Sequence, residues 1–266
     1  MDFNFKKSLG QNFLQDKNIL ENIVKVSNIK PNSLVIEVGP GSGNLTKYIA
    51  RTATHVLCYE IDNRLEEILS ETLYEFKNID IIFDDFLKRD IKSDIEKYNY
   101  DNLYLVANLP YYITTPIIEK IINSNLEFNQ ITIMIQKEVG ERFNAKPKTK
   151  EYNSLTVYLN YYFDINKEFI VLRNAFIPKP NVDSIVISLK NKQDKPYLKD
   201  KDLFNKLLRD SFKFKRKTIK NNLKNYNLDT IEKILTKHGY SLSSRAEELP
   251  LEVFIELTNN LNKTDK

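Results

Sequence analysis

Metal-ligating and redox-active side chains are scarce in this chain. Its 266 residues include one cysteine, Cys58, and two histidines, His55 and His238. A single cysteine excludes an internal disulfide framework, and so few ligands leave little room for a zinc site. No metal is expected. A Ser-His-Asp triad would have to recruit one of those two histidines. No apolar run approaches the ~18 residues that a membrane-spanning helix needs. The opening stretch, MDFNFKKSLGQNFL, has no apolar core long enough for a secretory signal. A cytoplasmic location is expected. Glycine is also rare, with only six in the chain.

Apolar residues make up 41% and the mean hydropathy is −0.45, which fits a soluble chain with a sizeable core. The length suits one large domain with a small appendage. Charge is unevenly spread. Lys190 to Lys224 holds 13 Lys+Arg against 4 Asp+Glu, a net +9, leaving the rest of the chain at −5. A basic block on an acidic body suits a polyanion, although a solvated helix face is the plainer reading.

The pattern along the chain alternates strand and helix. Asp16 reads as the N-cap of a helix to about Val26. Strands are expected at Leu34–Val38, His55–Glu60, Ile79–Phe83, Leu103–Ala107 and Ile131–Ile135, because short apolar runs mark strands buried on both faces. Helices are expected at Leu45–Ala53 and Arg64–Phe76, with another capped by Thr115 and starting at Pro116. Phe163–Leu172 and Val182–Leu189 read as a closing pair of strands. Beyond about residue 192 everything reads helical: Lys201–Phe214, Lys217–Asn225, Thr230–Lys237 and Leu251–Leu261. The expectation is an α/β domain over 1–192, with a mostly parallel sheet, followed by a small helical domain over 193–266.

Three of the six glycines fall together in Glu37-Val38-Gly39-Pro40-Gly41-Ser42-Gly43, between the first strand and a helix. A tight glycine turn at a strand's carboxyl end is where open α/β sheets bind nucleotides. Glu60 ends the second strand, where a carboxylate can accept from both hydroxyls of a ribose. A dinucleotide and S-adenosylmethionine both suit such a site. The spacing G-x-G-x-G departs from the dinucleotide pattern, with Asn44 in the slot of its third glycine. Glu37 would repel a pyrophosphate and attract an ammonium, which favours S-adenosylmethionine. Asp84-Asp85-Phe86 follows the third strand. A carboxylate there can bind an adenine amine, though paired acids in a loop are as often simply solvated.

Asn108-Leu109-Pro110-Tyr111 follows the fourth strand. This motif suits methyl transfer to the exocyclic amine of adenine. That lone pair is delocalised into the ring. Two acceptors, the Asn108 side-chain oxygen and the Leu109 carbonyl, would favour a pyramidal nitrogen, while Pro110 fixes the backbone and Tyr111 offers a stacking face.

These motifs together resemble the bacterial small-subunit (16S) ribosomal RNA adenine dimethyltransferases, over nearly the whole chain. The similarity rests on Lys7-Ser8-Leu9-Gly10-Gln11-Asn12-Phe13-Leu14, on Glu37 to Thr46, on Asn108 to Tyr111, and on Phe176-Ile177-Pro178-Lys179-Pro180-Asn181-Val182-Asp183-Ser184. It continues through Phe214-Lys215-Arg216-Lys217 with Asn221-Asn222-Leu223, and through Arg245-Ala246-Glu247-Glu248-Leu249. The resemblance implies a class I S-adenosylmethionine-dependent methyltransferase fold, Rossmann-like, with a seven-stranded sheet. It implies a cofactor site of Asn12, Leu14, Glu37, Gly39, Gly41, Gly43, Glu60, Ile61, Asp85, Phe86 and Asn108. It implies catalysis by Asn108, Leu109 and Pro110, with Tyr111 and Phe176 sandwiching the target base. By itself Phe176 also reads as a core aromatic before a turn.

The implied reaction is dimethylation of two adjacent adenosines near the 3′ end of 16S rRNA, on an assembling 30S particle, by a monomer with a role in ribosome biogenesis. A sister class methylates one adenine of 23S rRNA and confers macrolide resistance. Leu109 and the Arg-Ala-Glu-x-Leu signature favour the small-subunit class. A non-catalytic assembly factor, a nicotinamide-dependent oxidoreductase and a DNA adenine methyltransferase are the other readings. Lys213, Lys215, Arg216, Lys217, Lys220 and Lys224 are the expected RNA contacts. Helical spacing would place most of them on one side, with Phe212, Phe214, Ile219 and Leu223 as anchors.

Overall fold

A computed structural model describes residues 12–110 and 113–262. The elements in chain order are β1 (Phe13–Leu14), α1 (Lys17–Val26), β2 (Ser33–Val38), α2 (Asn44–Ala50), β3 (His55–Glu60), α3 (Glu66–Leu73), β4 (Ile79–Phe83), α4 (Ile91–Ile95) and β5 (Asn102–Asn108). Then come α5 (Thr114–Asn123), β6 (Gln130–Gln136), α6 (Lys137–Phe143), α7 (Ser154–Tyr162), β7 (Phe163–Val171), β8 (Phe176–Ile177) and β9 (Ser184–Asn191). The chain finishes with α8 (Lys201–Ser211), α9 (Ile219–Asn222), α10 (Leu228–Lys237) and α11 (Leu251–Asn260).

Seven strands form one sheet in the order β4-β3-β2-β5-β6-β9-β7. The pairs among β2 to β6 are parallel, and β9 runs antiparallel to β6. The central strands are apolar because both faces are covered: every residue of β2 is buried. β7 instead largely alternates, with Asp164, Asn166, Glu168 and Ile170 exposed between buried Phe163, Ile165 and Val171, as suits an edge strand. The chain builds β2, β3 and β4 outward on one side and then returns to β5 on the other. That reversal opens a crevice at the carboxyl ends of β2 and β5. The short strands β1 and β8 pair separately, antiparallel, with Leu14 opposite Phe176.

The chain divides into two compact units. One runs to Gly140 and adds Ile165–Asn191; the other holds Glu141–Asp164 and everything from Lys192. A single cut after residue 192 therefore misses that 141–164 packs with the C-terminal helices. In that unit α8 turns Leu203, Phe204, Leu207 and Leu208 inward at helical spacing, and Ile219, Leu223, Leu235, Val253 and Phe254 complete the core. Tyr152 Oη donates to the Leu249 carbonyl at 2.8 Å, tying the segment before α7 to the turn before α11.

Three local expectations differ from the structure. α7 was not legible, because Val157, Tyr158, Leu159, Tyr161 and Tyr162 are all buried and leave no polar stripe to set a period. α5 begins at Thr114, so Pro116 is its third residue rather than its first; the early N–H groups of a helix have no internal partner, and proline costs nothing there. The stretch 212–218 is turn rather than helix, and α9 spans only Ile219–Asn222.

Candidate functional site

A cleft opens at the sheet's switch point. The glycine turn forms one wall. Gly39, Gly41 and Gly43 all have positive φ. Gly39 N–H donates to the Tyr59 carbonyl at 2.9 Å, and Gly41 N–H to Glu60 Oε2 at 3.1 Å. A Cβ on Gly41 would lie 2.9 Å from Phe13 Cε1, so only glycine lets the ring of β1 cover the turn. Gly43 serves another purpose. It caps α2 at φ 77° and faces α3, where a Cβ would meet Thr72 Cγ2 at 3.0 Å. Gly43 itself is not part of the cleft lining, and its place is at the packing of α2 on α3.

Two buried carboxylates lie at the cleft. Glu60 is 5% exposed and accepts from Gly41 N–H and from Asp62 N–H, the latter at 2.9 Å. Burial raises its pKa, against the pull of those backbone donors. Glu37 is 1% exposed, and burial pushes it up to about 7. The Cys58 thiol donates to Glu37 Oε2 at 3.6 Å, and burial together with that carboxylate raises the thiol well above its usual range. On the far side Asp85 Oδ1 accepts from Leu87 N–H at 3.0 Å, and Phe86 packs edge-on against Tyr59. Ile61 stands at the rim, 51% exposed.

The N-terminal segment closes the cleft through contacts that no local pattern announces. Asn108 Nδ2 donates to the Asn12 carbonyl at 3.2 Å. Asn44 Nδ2 donates to the Leu14 carbonyl at 3.0 Å. The first bond fixes the Asn108 amide with its nitrogen toward the segment, so Oδ1 is the atom left for a ligand. Leu109 N–H donates to the Met134 carbonyl at 3.1 Å, anchoring the Asn-Leu-Pro turn to β6.

The cleft thus gathers Asn12, Leu14, Glu37, Gly39, Gly41, Glu60, Ile61, Asp85, Phe86, Asn108, Leu109 and Pro110 from the sequence expectation. Phe176 is not among its lining. It is 2% exposed in a core cluster with Leu14, its partner in the β1–β8 pairing. Tyr111 and residues 7–11 of the N-terminal motif lie outside the described residues. Sequence reasoning missed Phe13 and the Asn44 clasp. The Asn44 signal was present, since a polar side chain stood where the dinucleotide pattern has glycine. In the C-terminal unit Lys213, Lys215, Arg216, Lys217, Lys220 and Lys224 are all exposed. They sit on a turn and a short helix, so they do not form the helical face expected from spacing.

The cleft is lined with acceptors: four carboxylates, Glu37, Glu60, Asp84 and Asp85, and the Asn108 amide oxygen, beside apolar Leu14, Phe86 and Pro110. Such a set repels pyrophosphate and suits a cationic ligand with ribose hydroxyls and an exocyclic amine. S-adenosylmethionine has those groups, and the glycine turn admits a close approach to its backbone, so the residues present fit this cofactor.

Comparison with known proteins agrees. The family model "Ribosomal RNA adenine dimethylase" matches residues 2–263. The chain is 44% identical over 270 residues to "Ribosomal RNA small subunit methyltransferase A" of Macrococcus caseolyticus, covering 98% of this chain and 91% of that protein. A crystal structure of a dimethyladenosine transferase from Plasmodium falciparum superposes with a TM-score of 0.75 at 27% identity, covering 92% of this chain and 95% of the other. That of the 23S rRNA methyltransferase ErmE gives 0.71 at 26% identity, covering 94% and 99%. The architecture is the class I methyltransferase fold, and the oxidoreductase reading is set aside. The chain belongs to the ribosomal RNA adenine dimethylase family, and it is a methyltransferase that uses S-adenosylmethionine to modify adenine in ribosomal RNA.

Proposed function

We propose that this enzyme dimethylates two adjacent adenosines near the 3′ end of 16S rRNA, on an assembling 30S particle in the cytoplasm. The observation that carries the small-subunit assignment is the 44% identity across almost the whole chain to a small-subunit enzyme, against 26% to the 23S enzyme ErmE. Leu109 and Arg245-Ala246-Glu247-Glu248-Leu249 point the same way.

The bound cofactor supplies a methyl group on an electron-poor sulfonium carbon. Glu37 holds the ammonium end, Glu60 takes the ribose hydroxyls, and Asp85 with Phe86 grips the adenine. Gly39 and Gly41 let the cofactor lie against the backbone, while Asn12, Leu14 and Ile61 enclose it. Asn108 Oδ1 and the Leu109 carbonyl accept hydrogen bonds from the target amine and stabilise the charge that develops on its nitrogen. The Asn12 carbonyl keeps the Asn108 amide from turning its nitrogen to the base. No general base is needed before transfer, because the methylated nitrogen becomes strongly acidic. Tyr111 and Phe176 stack on the base. For Phe176 that role requires a ring now 2% exposed, in the core cluster that also holds Leu14, to become accessible to the base. Lys213, Lys215, Arg216, Lys217, Lys220 and Lys224 contact RNA phosphates.

The test is transfer of labelled methyl groups to purified, unmodified small and large subunits side by side. Label in the small subunit alone is expected. Label confined to the large subunit would move the enzyme to the resistance class.

A further inference from the structure

Sequence reasoning gave Phe214 an anchoring role, and the structure denies it. Ile219 and Leu223 are fully buried, and Phe212 packs on Phe254 with ring centroids 5.8 Å apart. Phe214 is 56% exposed, in the middle of the most basic stretch of the chain. Its position is nonetheless held. Asn222 Oδ1 accepts from Phe214 N–H at 3.3 Å, and Asn222 Nδ2 donates to the carbonyls of Phe214 at 3.3 Å and Ser211 at 2.7 Å. One amide thus clasps the backbone of an outward-facing phenyl group on both sides. An exposed ring costs free energy in water, and a backbone held in place has lost part of its entropy in advance.

Phe214 borders a groove of about 580 Å³ between α8 and the segment around α9. Tyr226 lines the same groove, with Lys206 Nζ 4.7 Å from its ring centroid; Lys213 Nζ stands 5.5 Å from that of Phe214. The lining carries Lys206, Lys213 and Lys224 against Asp202 and Asp210. Asp210 does not act as a bare repulsive charge. Its carboxylate accepts from Lys206 Nζ and Tyr226 Oη, both at 2.6 Å. Lys215, Arg216, Lys217 and Lys220 follow in the adjoining sequence, all exposed, with no acid among them.

We propose that this groove is a second nucleotide site, separate from the catalytic cleft, which takes one unpaired nucleotide of the RNA substrate. Its base stacks on Phe214, and its phosphates lie against Lys213 and Lys224. Stacking on an aromatic platform beside cations is how proteins hold single-stranded RNA without reading its sequence. A duplex cannot offer a free base face, so the groove adds a preference for single-stranded junctions to the charge attraction of the basic segment. The inference rests on the reading that this segment faces RNA, and the experiment separates the two.

Full-length protein is titrated by fluorescence anisotropy with a labelled single-stranded oligoadenylate and with an RNA duplex of the same number of phosphates, each over a range of salt. Phe214→Ala should weaken single-strand binding about tenfold and leave the duplex within a factor of two, with the salt slope unchanged. Phe214→Tyr should retain most of the affinity. Because the side chain is exposed, the thermal midpoint should not move. Equal affinity of wild type and Phe214→Ala for the single strand overturns the nucleotide site while leaving the phosphate face standing, and would point to a protein contact for the ring. Failure of wild type to bind either RNA overturns both readings.

Discussion

Replacing Glu37 by glutamine should make the cofactor-free protein more stable at neutral and alkaline pH. The carboxyl is 1% exposed, and burial lifts it from 4.5 to about 7. Each pH unit between the two values is worth about 1.4 kcal/mol. Keeping Glu37 ionised in the fold therefore costs roughly 3 kcal/mol, an upper figure because buried carboxyls relax toward water. The sign follows from proton linkage. Between pH 4.5 and 7 the folded state binds more protons than the unfolded chain, so stability falls as pH rises and levels off above 7. Glutamine keeps the shape and still accepts from the Cys58 thiol, but it does not titrate. The stability gap between E37Q and wild type should therefore be near zero at about pH 4, grow through the acid range and plateau near 3 kcal/mol above about pH 7. Urea unfolding of the two proteins at matched pH values measures it, and the titrating groups not coupled to Glu37 cancel in the difference. Addition of S-adenosylmethionine should reverse the order, because only the carboxylate meets the ammonium. A gap independent of pH, or a variant less stable at pH 8, would contradict a buried Glu37 whose ionisation opposes folding.

Gly41→Ala places a methyl 2.9 Å from Phe13 Cε1 on a backbone with φ 58°. We expect a loss of about 1–2 kcal/mol in stability and weaker cofactor binding, read by calorimetry. Asn44→Ala removes the bond to the Leu14 carbonyl. It should cost about 1 kcal/mol and raise the KM for cofactor more than it lowers kcat, measurable in steady-state kinetics. Reversing Lys217 and Lys220 to glutamate should weaken RNA binding and flatten its dependence on log salt by about 0.7–0.9 per lost phosphate contact. Binding isotherms at three salt concentrations would check that.

The parallel sheet was legible because each central strand is a short apolar run bounded by turn residues. His55–Glu60 and Ile79–Phe83 fall where the pattern placed them. The glycine turn and the Asn-Leu-Pro motif were legible because few other residues permit those backbones. What escaped was non-local. β1 and β8 are two residues each and meet across the chain, so neither carries a period of its own. α7 is apolar on nearly every side and shows no stripe. Phe214 reads as core by composition. Only the packing shows that Phe212, Ile219 and Leu223 serve that core while Phe214 remains outside it.

The proposed reaction is dimethylation of adenine in small-subunit RNA through the acceptors of Asn108 and Leu109. The most direct measurement is to incubate wild type and Asn108→Ala with S-adenosylmethionine and unmodified small subunits, then map the methylated nucleosides by mass spectrometry. Wild type should yield N6,N6-dimethyladenosine at two neighbouring positions near the 3′ end. The variant also loses the bond to the Asn12 carbonyl, so it is compared at saturating cofactor, where its rate should fall at least about 100-fold. Methylation at any other base, or full activity in Asn108→Ala, would contradict the proposed reaction.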